Sequence, residues 1–100
     1  MTNQEIAALF YRIADILEIQ NADIFRVRAY REAATIIEGL IKDIAETYKT
    51  EGLKGLMDIP RVGKELALKI EELVQHNKLD FYTKLKKEVP AGLLEIMELE

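Results

Sequence analysis

The sequence predicts an all-α domain, a compact bundle of five to seven short helices. Apolar residues recur at steps of three and four along most of the chain, which is the spacing of one helix face. The alternation of apolar and polar residues that is typical of a half-buried strand appears nowhere. Capping side chains, glycines and prolines divide the pattern into short segments. With 100 residues and 49% apolar side chains, we expect one domain with a modest core.

The first helix is predicted from about Asn3 to Ile19. Thr2 and Glu5 have the spacing of a capping box, in which the hydroxyl and the carboxylate each accept a backbone N–H at the helix start. The apolar residues that follow share one face, which we expect to be buried: Ile6, Leu9, Phe10, Ile13, Ile16 and Leu17.

The second helix is predicted to be capped by Asp23, to run to Glu38 and to end at Gly39. Arg28, Arg31 and Thr35 fall on a solvated face. Exposure to solvent alone, without a binding role, would explain why the two arginines lie there. The expected buried stripe consists of Phe25, Ala29, Ala33, Ile36 and Ile37.

A third helical pattern covers residues 41–49, is ended by Gly52, and is followed by a short helix over residues 53–57. Residues 58–63 then interrupt the helices. Pro60 lacks an N–H and disfavours a helical conformation at Ile59, and Gly63 is free to adopt angles that other residues avoid.

Two more helices are predicted before a last apolar segment that starts at Pro90. Lys64 to Gln75 is amphipathic, and Asp80 is expected to cap a helix that runs through Glu88. The expected inward residues are Leu66, Ala67, Ile70, Leu73 and Val74 in the first and Phe81, Tyr82 and Leu85 in the second, with Lys84, Lys86 and Lys87 outward.

Composition excludes several classes of function. The chain has no cysteine, so disulfides and thiolate chemistry are ruled out. No apolar run has the length of a membrane span and the first residues lack the features of a signal peptide, so we expect a cytoplasmic protein without a membrane partner. The lone histidine, His76, lies near a helix end, where a structural role is expected. Neither a metal-ligand cluster nor a Ser-His-Asp set is visible.

The charge is unevenly distributed. The net charge of −4 argues against a protein that coats nucleic acid by bulk attraction. However, Ile59 to Pro90 holds seven basic and five acidic residues, whereas residues 1–58 hold seven basic and ten acidic ones. Binding to an anion must therefore be local and belong to the second stretch.

That stretch contains a short helix, a tight turn over Ile59 to Gly63, and an amphipathic helix. A turn that leads into a helix N-terminus presents unpaired N–H groups and the positive end of the helix dipole, which together suit a phosphate. Lys64 adds a positive charge at the same place. The alternative is that the turn only joins two packed helices.

Ile59-Pro60-Arg61-Val62-Gly63, followed by Ala67, Lys69 and Ile70, resembles the helix-hairpin-helix motif. The resemblance extends over residues 3–15, 25–34 and 87–94. Together these segments resemble the N-terminal domain of prokaryotic family X DNA polymerases over nearly the whole chain. This resemblance implies a single domain over residues 1–98, with Leu99 and Glu100 left outside as candidate non-native residues. The polymerase domains of the family are expected to be partners of this domain, and Mg²⁺ is expected only there.

The resemblance implies non-sequence-specific binding to the DNA backbone at the 5′ side of gaps or nicks, a role in base excision repair. Backbone amides around Arg61, Gly63 and Glu65 would hold a phosphate beside Lys64. The carbonyls of Met57, Ile59 and Val62 would surround a Na⁺ or K⁺ ion. Secondary DNA contacts would come from Arg26, Arg28, Tyr30 and Arg31.

One departure from the family pattern and one match to it stand out. Arg61 occupies a position where the family usually has glycine, and a left-handed backbone there would cost about 1 kcal/mol. Lys69 falls where relatives form a Schiff base with an abasic sugar. The neighbouring Glu65 and Glu72 favour its charged form, whereas the reaction needs a neutral amine.

Three hypotheses therefore stay open: a DNA-binding domain, a 5′-deoxyribose-phosphate lyase with Lys69 as the catalytic residue, and a helical protein-interaction module.

Overall fold

Residues 1–89 are described by a computed structural model, and they form five α-helices joined by short connections. The all-α prediction is confirmed. The predicted apolar segment from Pro90, the block over residues 90–94 and the boundary at residue 98 lie outside the described residues. The helices are α1 (Asn3–Ile19), α2 (Ile24–Glu38), α3 (Ile44–Met57), α4 (Lys64–His76) and α5 (Asp80–Lys87).

Helix α1 has the predicted bounds and the predicted capping box. The Thr2 hydroxyl accepts the Glu5 N–H at 3.1 Å, and the Glu5 carboxylate accepts the Thr2 N–H at 2.8 Å. The predicted apolar face is buried throughout. The side chain of Asn3 extends from the start of α1 to the start of α3, where it accepts the Ile44 N–H at 2.9 Å and donates to the Lys42 carbonyl at 2.9 Å.

Helix α2 also has its predicted ends, but only Ala33 and Ile37 of its predicted buried stripe are fully buried. Phe25 is 73% exposed, and Ala29 and Ile36 are only half-buried. Packing against α1 selects a stripe that is turned by about one residue from the prediction and still follows steps of three and four. The residues buried along α2 are Val27, Tyr30, Ala33, Ala34 and Ile37.

Helix α3 begins later than predicted, at Ile44, because Asp43 caps it by accepting the Ala45 N–H at 3.1 Å. Ile41 lies outside the helix and is fully exposed. The predicted break at Gly52 is confirmed, since its φ of 67° interrupts the helix and separates the short segment that ends at Met57.

Helix α4 has the predicted amphipathic face, but the predicted cap of α5 is wrong. Asp80 is the first residue of α5, and Leu79 precedes it as the N-cap. The Asp80 N–H is instead accepted by the Glu72 carboxylate of α4 at 2.8 Å, which fixes the start of α5 to α4. Leu85 is buried and Phe81 and Tyr82 are half-buried, as expected from their spacing.

The buried residues of the five helices form one hydrophobic core. Helix α1 packs on α2 and, less extensively, on α5, whereas α3 packs on α4. A hydrogen-bond chain supports the second pair, because the Tyr48 hydroxyl donates to Glu71 at 2.7 Å and accepts from Gln75 at 2.7 Å. None of the helices within residues 1–89 combines the length and apolar character that crossing a bilayer requires.

Candidate functional site

The turn between α3 and α4 has an unusual backbone conformation. The Val62 N–H donates to the Ile59 carbonyl at 3.1 Å, which places Pro60 and Arg61 at the two central positions of a four-residue turn. Arg61 has a φ of 68°, a value that favours glycine. Gly63 has a φ of −84° and does not use the conformational freedom of glycine, so the residue in the left-handed conformation is Arg61, as considered from the sequence.

The N-terminus of α4 is uncapped. Gly63 occupies the cap position and has no side chain to accept an N–H, and the first backbone bond at this end joins the Ala67 N–H to the Gly63 carbonyl at 2.9 Å. The other helix starts within residues 1–89 each receive a side-chain oxygen, from Thr2, Asp23, Asp43 or Glu72. The first amides of α4, including those of Lys64 and Glu65, are therefore open to an anion.

A cavity of about 810 Å³ lies between this turn and α2. Arg28 and the exposed Phe25 line its α2 side, and the turn from Met57 to Gly63 lines the other. The Arg61 guanidinium reaches across to the Glu32 carboxylate at 3.4 Å, where both side chains remain largely in solvent. The predicted residues Arg28, Arg61 and Gly63 are thus brought together around one open cavity.

The Phe81 ring of α5 contacts a second group of residues. The Arg26 guanidinium lies 5.3 Å and the Lys69 ammonium 4.8 Å from the ring centroid. The Tyr30 ring stacks on Phe81 with centroids 6.2 Å apart. We call Arg26, Tyr30, Lys69 and Phe81 the Phe81 cluster. It joins three predicted site residues, two of which carry positive charge held by cation–π contacts.

Tyr30 is the deepest member of the cluster. Its hydroxyl oxygen is buried and has no hydrogen-bond partner among residues 1–89. Burial raises the pKa of Tyr30 to about 12, with the Glu65 charge adding to the rise and Arg26 opposing it. An unpaired buried hydroxyl costs free energy.

Lys69 has one of its two predicted acidic neighbours. Its ammonium lies 3.4 Å from the Glu65 carboxylate and its side chain is only 16% exposed. Glu72 instead accepts the Asp80 N–H. Both the Glu65 carboxylate and the Phe81 ring interact favourably with an ammonium cation.

Arg31 is not brought to the cavity. Its guanidinium donates to Asp15 at 3.0 Å and to Glu18 at 3.2 Å, so it joins α2 to α1. These hydrogen bonds raise the pKa of Arg31, with Glu18 the larger contributor. The predicted DNA contact of Arg31 stays a prediction.

The residues predicted to hold a monovalent cation, Met57, Ile59 and Val62, all line the cavity. Of their three carbonyl oxygens, that of Ile59 accepts the Val62 N–H, and a carbonyl retains a second lone pair after one such bond. Carbonyl oxygens are ligands of the type that a hard cation takes, and the predicted Na⁺ or K⁺ site stays a prediction. Clusters of His, Cys, Asp or Glu with metal-binding geometry do not occur among residues 1–89.

Sequence reasoning missed Phe81 and Glu32 as site residues. Phe81 was expected only as an inward residue of α5, and no spacing in the sequence relates it to Arg26 or Lys69. Glu32 gives no signal of its own, since its partner Arg61 lies across a tertiary contact.

Comparison with known proteins supports the motif-based prediction. Residues 1–79 match the model of the helix-hairpin-helix domain. The chain is 28% identical over 99 residues to the DNA polymerase/3'-5' exonuclease PolX of Bacillus subtilis (strain 168). This alignment covers 99% of the chain and 16% of the relative, so the chain spans a small part of that protein's length. The predicted resemblance is confirmed.

Proposed function

Because this chain belongs to the helix-hairpin-helix domain family, we propose that it is the DNA-binding domain of a family X DNA polymerase. It holds DNA by the phosphate backbone at the 5′ side of a gap or nick and acts in DNA repair without reading base sequence. The observation that carries the proposal is the uncapped N-terminus of α4 beside an open cavity. A cytoplasmic location remains a prediction from the sequence.

The open amides of α4 provide the first element of binding. A phosphate oxygen at the first turn of α4 accepts N–H groups that have no other partner and lies at the positive end of the helix dipole. Lys64, the first residue of α4, is exposed and adds a positive charge. Because these contacts are made to phosphate rather than to base edges, they carry no sequence information.

Positive side chains around the turn provide the second element. Arg28 and Arg61 line the cavity, and Arg26 and Lys69 are held on the Phe81 ring. A terminal 5′-phosphate carries more negative charge than a phosphodiester, so two groups of cations beside open amides favour a strand end over a continuous strand. The net charge of −4 limits binding elsewhere on the surface.

The Lys69 contacts favour phosphate binding over the lyase hypothesis. A Schiff base requires a neutral amine, whereas Glu65 and Phe81 surround Lys69 with partners for an ammonium cation. We expect no borohydride-trapped adduct with DNA that has an abasic 5′ end. A trapped adduct that disappears in Lys69→Ala would establish the lyase instead.

The proposal is tested by titrating the chain against one-nucleotide-gapped DNA with and without a 5′-phosphate, at two salt concentrations. We expect tighter binding to the phosphorylated gap and a linear loss of affinity in log salt. Lys64→Glu should abolish the preference, whereas Lys49→Glu, the same charge change on exposed α3, should retain it. Equal and weak binding to both DNAs would contradict the proposal and favour a protein-interaction module.

A further inference from the structure

Helix α5 carries positive charge that the phosphate site at the turn does not use. Its last turn holds Lys84, Lys86 and Lys87, against a single acidic residue, Asp80, in its first turn. Lys86 lies over the Tyr82 ring at 5.0 Å. Lys84 and Lys87 are exposed, and neither forms an ion pair within residues 1–89.

The position of α5 connects these lysines to the Phe81 cluster. Phe81, in the first turn of α5, contacts both Arg26 and Lys69. Lys84 follows Phe81 by three residues, which places it about 4.5 Å further along the helix axis, and Lys87 lies a further turn away. The start of α5 is fixed by the bond from the Asp80 N–H to Glu72, so the helix holds its lysines at a defined distance from the cluster.

Two acidic residues of the adjoining α4 are already engaged. Glu65 contacts Lys69, and Glu72 accepts the Asp80 N–H. Asp80 and Glu88 flank the two lysines, but neither carboxylate forms an ion pair with them within residues 1–89, so the positive charge of Lys84 and Lys87 is open to a polyanion.

We propose that Lys84 and Lys87 extend the DNA contact from the Phe81 cluster along α5, where they bind backbone phosphates beyond the one held at the turn. This inference rests on the proposed function. Continuity with the Phe81 cluster favours DNA over an acidic protein, because a DNA strand held at the turn carries further phosphates past α5.

The test compares Lys84→Gln/Lys87→Gln with the matched control Arg12→Gln/Lys49→Gln, which removes the same charge from exposed positions on α1 and α3. Affinity for 5′-phosphorylated gapped DNA is measured between about 50 and about 200 mM salt. Each lost duplex phosphate contact reduces the slope of log affinity against log salt by about 0.9. The α5 variant should therefore lose about tenfold less affinity than the wild type over this range.

The control variant should keep the wild-type slope, and both variants should keep the preference for the 5′-phosphate. Unchanged melting temperatures would show that neither variant is unfolded. An α5 variant with the slope of the control would overturn the α5 contact while leaving the site at the turn intact. A wild-type chain that binds without preference for the 5′-phosphate, but whose slope still falls in the α5 variant, would overturn the proposed function and support α5. Absence of salt-dependent binding by the wild type would overturn both.

Discussion

The connection between α1 and α2 differs from the connection between α3 and α4 in how the backbone N–H groups at the helix ends are bonded. Each joins two helices within a few residues, and each contains one residue with a positive φ, Asn21 at 59° and Arg61 at 68°. In residues 20–23 the polar groups are satisfied within the chain. In residues 58–63 the N–H groups of Asp58, Ile59 and Val62 are also bonded within the chain, but the first amides of α4, which follow, are left open.

The first connection is closed at both helix ends. After α1, the Asn21 N–H donates to Glu18 and the Ala22 N–H to Leu17, at 3.1 and 2.9 Å, in the pattern of a Schellman motif. Asn21 tolerates its left-handed conformation. Asp23 then caps α2 by accepting the Phe25 N–H at 3.0 Å. Each device stabilises the fold and leaves nothing for a ligand.

The second connection lacks both devices. Its left-handed residue is an arginine, for which that conformation is costly, and its cap position is a glycine without a side-chain acceptor. The two connections therefore differ in how their polar groups are used. The first uses them for stability, and the second leaves the first amides of α4 open, as the proposed phosphate contact requires.

The largest expected effect comes from closing the second connection with Gly63→Asp. Gly63 has an extended backbone, and a Cβ there would meet nothing within 4 Å, so the carboxylate can cap α4. We expect a few tenths of a kcal/mol of added stability. DNA affinity should fall roughly 10- to 100-fold, because the carboxylate occupies amides that would otherwise make charge-assisted bonds, worth about 1.5–3 kcal/mol, to the phosphate. Thermal melting and a DNA titration measure the two effects.

The opposite change, Asp23→Gly, serves as the control. It opens the first connection and should leave DNA affinity unchanged while costing a few tenths of a kcal/mol of stability. If Gly63→Asp bound gapped DNA as well as the wild type does, the open amides would have no part in binding.

A smaller effect is expected from Arg61→Gly, which relieves the strained residue. The left-handed conformation costs roughly 1–2 kcal/mol and the added freedom of the unfolded glycine returns roughly 0.4–1 kcal/mol. We therefore expect a net gain of about 0.5–1 kcal/mol and a rise of a few degrees in melting temperature. The salt slope of DNA binding should also fall by about 0.9, because one cation is lost.

Asn21→Gly is the matched substitution in the first connection. Its melting temperature should change less, because asparagine already adopts the left-handed conformation readily. Equal shifts for the two substitutions would contradict the assignment of strain to Arg61.

The sequence predicted the helix ends that are capped by nearby side chains better than the features that depend on packing between helices. The ends of α1 and α2 follow from local signals, since Thr2, Glu5 and Asp23 act on amides within three residues. The buried stripe of α2 was misplaced because packing against α1 decides it, and that contact is not local. The turn and the α4 start were predicted from Pro60 and Gly63. The contacts of Arg26 and Lys69 with Phe81 depend on the packing of three helices, and no spacing in the sequence indicates them.

The smallest effect on stability at neutral pH is expected from Tyr30→Phe, compared with Tyr11→Phe. The Tyr11 hydroxyl pairs with Thr35 at 2.9 Å, so its removal should cost about 1 kcal/mol or less. The Tyr30 hydroxyl has no partner among the described residues, so its removal should leave the melting temperature unchanged or slightly higher.

High pH distinguishes the Tyr30 variant from the wild type. The unfolded tyrosine ionises near its ordinary pKa of 10.0, whereas the folded one holds its proton until about 12. Because the unfolded state then binds fewer protons than the folded state, wild-type stability should fall as pH rises from 10 to 12. Tyr30→Phe should lose this part of the decline, while Tyr11→Phe should retain it. Identical pH profiles for the wild type and Tyr30→Phe would show that the Tyr30 hydroxyl is not held in a buried, unpaired state. Its polar group would then be satisfied, as that of Tyr11 is.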